Sequence, residues 1–299
     1  MELRHIKYFL AVAEERSFTR AAQKVGIGQP PLSQQIRDLE REVGTPLFRR
    51  LPRGAELTDA GRAFLPEAEA LLEQSKRAIQ AARRGARGEV GRLRVGYTSS
   101  ATFSSAVPAT VRAFRRKYPD VELSLSEANT SELLEKLATK ELDAAFLRPG
   151  KQDPEGVRIY NLASEAMFAV LPSSHPLARA KTVELSALAK EVFMLFPRSA
   201  GMSLFDEIIT ACQRAGFEPI LGQSVPQISS VGNLVAAEMG ISIVPEPISQ
   251  VKVAGVSYVP LADLALRARL ALAIRPDETS GVVYNFAGLL EPNNAPEIG

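Results

Sequence analysis

The sequence predicts an α/β protein with an all-α amino-terminal part, followed by a long helix and two α/β lobes. Three observations lead there: apolar residues at helical spacing through the first 43 positions, a seven-residue repeat between residues 65 and 79, and strands alternating with helices beyond a Gly- and Arg-rich joint at residues 82–91. At 299 residues, 45% hydrophobic and 23% charged, the chain is long enough for two or three globular units of ordinary soluble composition.

Leu3, Ile6, Leu10 and Ala13, with Phe9 beside them, give the first helix one apolar side, and His5 on it reads as a surface or capping group. Ser17 is a good N-cap for a second helix, whose stripe is Phe18, Ala21, Ala22 and Val25 and which Gly26 ends. In the pair Pro30-Pro31 the second proline can take the first helical position of a third helix at no cost in hydrogen bonds. Leu32, Ile36, Leu39 and Val43 are its buried stripe, and Ser33, Gln34, Arg37 and Arg41 are the opposite, solvent face. Ser and Gln near the start with arginines further along suit a helix laid in a DNA major groove, which reads bases with its first turns and meets phosphates with the rest. On periodicity alone, a two-helix corner in an ordinary helical domain fits equally well.

Pro46, Pro52 and Gly54 punctuate short apolar stretches between Thr45 and Leu57, predicting a two-stranded wing that carries Arg49, Arg50 and Arg53. Beside a groove-reading helix, such arginines favour phosphate or minor-groove contact over simple solvation. The net charge of +2 is uneven: residues 1–90 hold 16 Lys and Arg against 12 Asp and Glu, and the remainder 20 against 22. Thr58 is a plausible N-cap for a long helix ending near Gly85 to Gly88. Along it Leu65, Leu72 and Ile79 alternate with Ala68, Ser75 and Ala82, an a/d seam that predicts a dimerisation helix, the alternative being a linker helix lying on its own chain. Pro66 predicts a kink or break around Leu65.

From Arg92 the pattern runs strand (LRVGY), helix (Val107, Val111, Phe114, Tyr118), strand (VELSL), helix (SELLEKLATK), strand (LDAAFL), which implies a parallel, doubly wound sheet. A second unit follows: FAVL, FMLF, a helix from about Leu204 to Ala215, a helix around Val231 to Met239, and ISIVP. RARLALAIRP and a final helix close the chain, with that last strand expected to return to lobe one. In such sheets ligands sit beyond the carboxyl ends of strands, near helix starts that favour anions. That points to residues 97–100, 129–131 and 197–205. Ser203 and Asp206 also have the spacing of a capping box, so the hydroxyl can equally serve its own helix.

Met1 to Thr58 resembles the winged helix-turn-helix of LysR-type transcriptional regulators. LRHIKYFLAVAEERSFTRAAQKVGIGQPPLSQQIRDLEREVGTPLFRR carries the aromatic first helix, the SF-x-x-AA second helix, the QPPLSQQI recognition helix and the G-x-x-LF exit of that family. The resemblance implies that Gln29, Pro30, Pro31, Ser33 and Gln34 lie at the major groove and that Arg53 reaches the adjacent minor groove or backbone. Arg37 joins them from the residue pattern. The expected domains are 1–58 for DNA binding, 59–88 for the linker and dimer helix, and 89–299 for effector binding on a periplasmic-binding-protein-like fold. Lobe one would take about 89–161 and 267–299, and lobe two about 162–266.

FPRSAGMSLFDE resembles the corresponding loop of regulators of benzoate, catechol and chlorocatechol degradation, where it helps hold a dicarboxylate inducer. This implies Ser99, Thr130, Met202, Ser203 and Leu204 as a primary effector site, the loop residues acting through backbone amides. Phe146, Arg148 and Glu165 match positions around a second, more apolar pocket, although Arg148 reads equally as a surface ion pair.

The expected function is therefore a ligand-responsive regulator, not an enzyme. Its expected partners are double-stranded promoter DNA, a small-molecule effector, a second copy through residues 59–88, a homotetramer of such pairs, and RNA polymerase. The competing reading is a bilobal solute-binding protein or enzyme with a helical appendage. Against an enzyme, the chain has no Gly-rich phosphate loop and no G-x-S-x-G. One cysteine, Cys212, permits no internal disulfide, and His5 and His175 form no cluster at metal-ligand spacing, so neither metal nor cofactor is expected. No apolar stretch approaches the ~20 residues a membrane span needs, and the expected compartment is the cytoplasm.

Overall fold

The computed structural model describes residues 1–52, 54–150, 152–198, 202–225 and 228–290. The chain divides into two units, Met1–Arg84 and Gly85–Gly299.

The first unit opens with α1 (Leu3–Glu15), α2 (Phe18–Val25) and α3 (Gln29–Val43), followed by the hairpin β1 (Phe48–Leu51) and β2 (Gly54–Leu57) and the long helix α4 (Asp59–Ala86). The buried side of α1 is His5, Ile6, Phe9 and Val12, turned from the expected stripe. Leu3 is 47% exposed, because Phe9 takes the centre of the core between the rings of Phe48 and Phe64. His5 accepts from the Glu2 amide, completing a capping box. α2 starts and stops where its residues demand: Ser17 Oγ accepts from the Arg20 amide, and Gly26 adopts φ 74°, a left-handed conformation that suits glycine. In α3, Leu32, Ile36 and Leu39 are wholly buried, while Val43 at 38% lies beyond the core. Glu40 Oε1 accepts from the amides of both Leu47 and Phe48, so α3 fixes the base of the wing.

α4 begins as its cap predicts, with Thr58 Oγ1 accepting from the Gly61 amide at 2.9 Å. It runs through Pro66 as one helix, so of the kink or break expected around Leu65 the break does not occur. The heptad seam is divided. Ala68 is fully buried and Leu65 and Leu72 pack against the core of their own unit, so the first half of the seam has an internal partner that the spacing alone did not disclose. Leu71 and Ile79, at 43% and 53%, remain outward.

The second unit comprises β3 (Gly91–Tyr97), α5 (Ala106–Lys117), β4 (Val121–Glu127), α6 (Thr130–Ala138), β5 (Ala144–Leu147), β6 (Arg158–Pro172), β7 (Val192–Phe193), α7 (Met202–Arg214), β8 (Ile220–Leu221), α8 (Val231–Ala236), β9 (Ser242–Pro245), β10 (Val256–Pro260), β11 (Arg267–Ile274) and α9 (Gly281–Ala287). The principal sheet has the order β10-β6-β11-β5-β3-β4, with β9 also pairing β6. β3 runs parallel to β4 and β5, but β11 is antiparallel to β5 and β6. The sheet is thus mixed, not the wholly parallel one expected, because β11 enters lobe one from lobe two. β6 and β11 are the two crossover strands, and their register shifts at Leu270/Ala271, where Leu162 is the extra residue of a β-bulge. Lobe one packs around Leu93, Val95, Phe114, Phe146 and Phe286; lobe two packs around Leu171, Phe193, Leu195, Ile208 and Ile243. Among the described residues no helix is long and apolar enough to cross a membrane.

One ion network anchors the carboxyl-terminal return. Arg94 donates to both oxygens of Asp143 through Nε and Nη2, at 3.0 and 2.7 Å, and its backbone amide adds 2.8 Å; Arg275 approaches Asp143 at 3.6 Å and pairs with Glu278. Burial pushes the Asp143 carboxyl up, but these hydrogen bonds and the charges of Arg94 and Arg275 outweigh it and hold its pKa below the usual 3.8. The unfolded chain therefore binds this proton more tightly, so the stability contributed is complete above the unfolded value and lost as pH falls through the folded one. Asp143→Asn is expected to cost about 2 kcal/mol at pH 7, read as a lower calorimetric midpoint. The gap from the parent narrows below about pH 4.

Candidate functional site

Two faces carry polar side chains that packing does not use. The first is the start of α3. Pro30 and Pro31 occupy its first turn, where free amides are not needed for the helix, and Gln29 and Gln34 project from it. Gln29 Nε2 donates to Ser33 Oγ at 2.8 Å. Ser33 is only 3% exposed, so it lies on the inner side of the helix and holds Gln29, instead of standing on the solvent face as expected. Gln34 is bound on both ends: Oε1 accepts from Arg37 Nε and Nη2 at 3.2 and 2.6 Å, and Nε2 donates to Asp38 at 3.0 Å. Arg41 also donates to Asp38. The helix therefore presents carboxamides able to donate to and accept from base edges, flanked by guanidiniums suited to phosphate. On the wing, Arg50 stacks over the Phe18 ring at 4.6 Å, which steers that charge along the surface. Arg53 lies outside the described residues.

The second face is the carboxyl edge of the parallel strands in the other unit. Tyr97 pairs with Glu127 on one side and with Phe146 on the other, so the segments that follow, 98–100, 128–130 and 148–150, emerge side by side. Ser99 begins a 3-10 turn after Thr98, and Thr130 begins α6. The capping of α6 falls to Asn129 and Glu132, leaving the Thr130 hydroxyl without that duty. Met202 opens α7, with Ser203 second and Leu204 third; Leu204 is 6% exposed and joins the lobe-two core, so it can serve a ligand only through its backbone. Asp206 is bidentate to Arg198, and the capping box expected between Ser203 and Asp206 is not the arrangement found. Gly150 brings this helix to the strand ends, for a Cβ built on it would lie 2.9 Å from Ser203 Cβ. Ser99 and Thr130 thus stand at neighbouring strand ends, and Ser203 reaches the same edge beside Gly150.

Beside Ser100, at this edge, lies a buried pair. Arg148 Nη2 donates to Glu165 Oε2 at 2.7 Å, and Nε donates to Ser100 Oγ at 2.9 Å; the two charged residues are 5% and 8% exposed. Arg148 is therefore an interior cation and not a surface ion pair. Burial pulls its pKa down while Glu165 opposes the shift, and an arginine keeps its proton throughout. Arg148 Nη1, Glu165 Oε1 and Thr98 Oγ1, like Gln35 Oε1 in the first unit, are buried without a hydrogen-bond partner in the protein, an expensive state in a folded chain. Phe146, one residue pair back on β5, is wholly enclosed against Phe286 and so supports the pair from the core. Sequence reading missed Thr98 as an orphan and Gly150 as the point of contact; the glycine directly after a strand end was the available signal for the latter. Cys212 is buried, its thiol pushed up to about 11 by burial, which makes it a packing residue and not a nucleophile.

A groove of about 1060 Å³ opens between α5 and β4, reaching Tyr97 and Phe146, with Val107, Val111, Leu123 and Leu125 as its apolar wall and Arg112, Arg115 and Arg116 on its rim. Ser99, Thr130 and Ser203 do not line it.

Residues 3–62 match the family described as bacterial regulatory helix-turn-helix protein, lysR family, and residues 86–294 match the LysR substrate binding domain. The regulator BudR of Raoultella terrigena is 40% identical over 96% of this chain and 99% of its own. BenM of Acinetobacter baylyi is 33% identical over 98% and 100%. Among solved structures, full-length CbnR complexed with its target DNA superposes with a TM-score of 0.81 at 30% identity, covering 97% of this chain and 98% of that one. The chain belongs to the LysR family of DNA-binding transcriptional regulators and is not an enzyme.

Proposed function

We propose that this regulator reads promoter DNA with Gln29, Pro30, Pro31 and Gln34, with Ser33 orienting Gln29 and Arg37 and Arg53 meeting phosphate or minor groove, and that it answers to a small carboxylate. The observation that supports the effector class is the buried Arg148 guanidinium, its Nη1 unpartnered, bonded to Ser100 at the strand edge where Ser99, Thr130 and Ser203 also stand. A carboxylate supplies acceptors to such donors and gains from the free amides of Met202, Ser203 and Leu204 at the start of α7. Phe146, Arg148 and Glu165 form the second pocket, in which an acid exchanges with Glu165 for the guanidinium.

Self-association uses the outward end of the α4 seam, at Ile79, with exposed Leu71 beside the seam, for the dimer. The Arg-rimmed α5–β4 groove complements the exposed apolar Val192, Ile220 and Leu221 beside Glu191 and Glu218, and this pairing supports a tetramer. The work is done on promoter DNA in the cytoplasm, alongside RNA polymerase.

The test is a titration of the full chain onto DNA from upstream of its own gene, across a salt series, with benzoates, muconates and related acids. Sequence-specific binding with a steep salt slope, altered by one acid, is the expected result, and Arg37→Ala should reduce the slope by about one phosphate's share. A response to none of the acids would refute the carboxylate reading while leaving DNA recognition standing.

A further inference from the structure

Gly150 follows β5 in lobe one, and Ser203 stands in the first turn of α7 in lobe two. A Cβ on Gly150 would meet Ser203 Cβ at 2.9 Å and Oγ at 3.1 Å, so the two walls of the cleft touch here and only a glycine allows it. The carbonyl of Gly150 is held in turn by Arg269 Nη1 at 2.8 Å. Nη2 of the same guanidinium donates to Asp153 Oδ1 at 2.9 Å and to Asn161 Oδ1 at 2.7 Å.

Arg269 and Asn161 belong to the two crossover strands, and they flank the bulge at Leu162, where Leu270 pairs with Ala163 and Ala271 with Asn161. A bulge bends its strand and concentrates twist, so relative movement of the lobes has its natural pivot at this point. One planar group therefore spans from the pivot to the edge where the lobes meet. A lysine ammonium, a point charge without that fork, does not reproduce the geometry.

We infer that Arg269 is a positioning residue for the effector cleft, tying the bulged crossover to Gly150 and thereby setting how closely lobe one approaches Ser203. The inference rests on reading the cleft as the effector site. Gly150 is its companion: the missing side chain lets the walls close, and any larger residue props them apart.

Amide hydrogen exchange on the full chain tests this, comparing the parent with Arg269→Ala, Arg269→Lys, Asp153→Ala and Gly150→Ala. Arg269→Ala is expected to speed exchange roughly tenfold, the loss of about one charge-assisted hydrogen bond, at both 158–161 on β6 and 206–209 on α7. Arg269→Lys should behave like the alanine variant, and Gly150→Ala should speed 206–209 while sparing 158–161. Unchanged protection at 206–209 in Arg269→Ala, or parental behaviour of Arg269→Lys, overturns the inference by reducing the guanidinium to a local loop tie. If Arg269→Ala loosens the whole unit, Asp153→Ala decides by the response at 206–209. Thermal shift with benzoate and cis,cis-muconate runs in parallel. Failure of both acids to move the parent's midpoint counts against the carboxylate reading alone, because the exchange result stands without a ligand.

Discussion

Gly61→Ala is expected to unfold the amino-terminal unit and abolish specific DNA binding while the effector unit keeps its own melting transition. A Cβ at position 61 would sit 2.1 Å from the Leu47 carbonyl oxygen, 3.1 Å from its carbon and 3.0 Å from Leu57 Cδ2. The carbonyl has nowhere to retreat, since it accepts from the Thr58 amide at 3.0 Å and Leu47 itself is wholly buried. Two elements must part: the start of α4 and the strand entry that Glu40 pins to α3. Overpacking against fixed backbone costs more than the usual 1–3 kcal/mol, and about 4 kcal/mol or more is expected here. Calorimetry should show the transition of the first unit lost or moved below room temperature. Gly85→Ala, where a Cβ meets nothing within 4 Å, is the control and should be neutral or mildly stabilising. A Gly61→Ala chain that melts like the parent would show that the helix start slides freely.

The second large effect concerns the interior cation. Glu165→Ala leaves the Arg148 guanidinium enclosed with Ser100 as its remaining partner, and a loss of about 3–5 kcal/mol is expected in the effector unit. Replacing both partners by apolar residues, Arg148→Met with Glu165→Leu, should recover most of that stability, because desolvation of the pair offsets much of its attraction. The informative comparison is between melting and response. A double variant as stable as the parent yet unresponsive to any acid would mean that the pair is kept for ligand exchange. A double variant as unstable as Glu165→Ala would mean that it is structural.

Much of the first unit was legible because its signals are local. Ser17, Gly26 and Thr58 stand within a few residues of the amides and turns they control, and the stripes of α2 and α3 fall within single helices. The errors there come from side-chain contacts that helical spacing does not reveal. Phe9 rotates α1 toward Phe48 and Phe64, residues far along the chain, and the inward turn of Ser33 depends on Gln29 needing an acceptor. In the second unit, β6 showed itself only as FAVL because its earlier residues change surroundings at the bulge and lose strict alternation. β8 and β10 gave no recognisable pattern; β8 is only two residues long. Ser99, Thr130 and Ser203 could be proposed from strand ends and resemblance. The burial of Arg148 could not, since it is decided by Glu165 on a crossover strand 17 residues away.

The place of β11 bears on how the protein is made. It lies between β6 and β5, inside the sheet, yet among the described residues it is the last strand synthesised. While the chain is still on the ribosome, lobe one has a gap at its middle that no earlier segment fills, whereas the DNA-binding unit is contiguous in sequence and ends at Arg84, 190 residues before β11 ends at Ile274. Synthesis therefore delivers the part that grips the promoter before the part that governs it, and a chain cut short before Arg267 would carry a finished reader without its control.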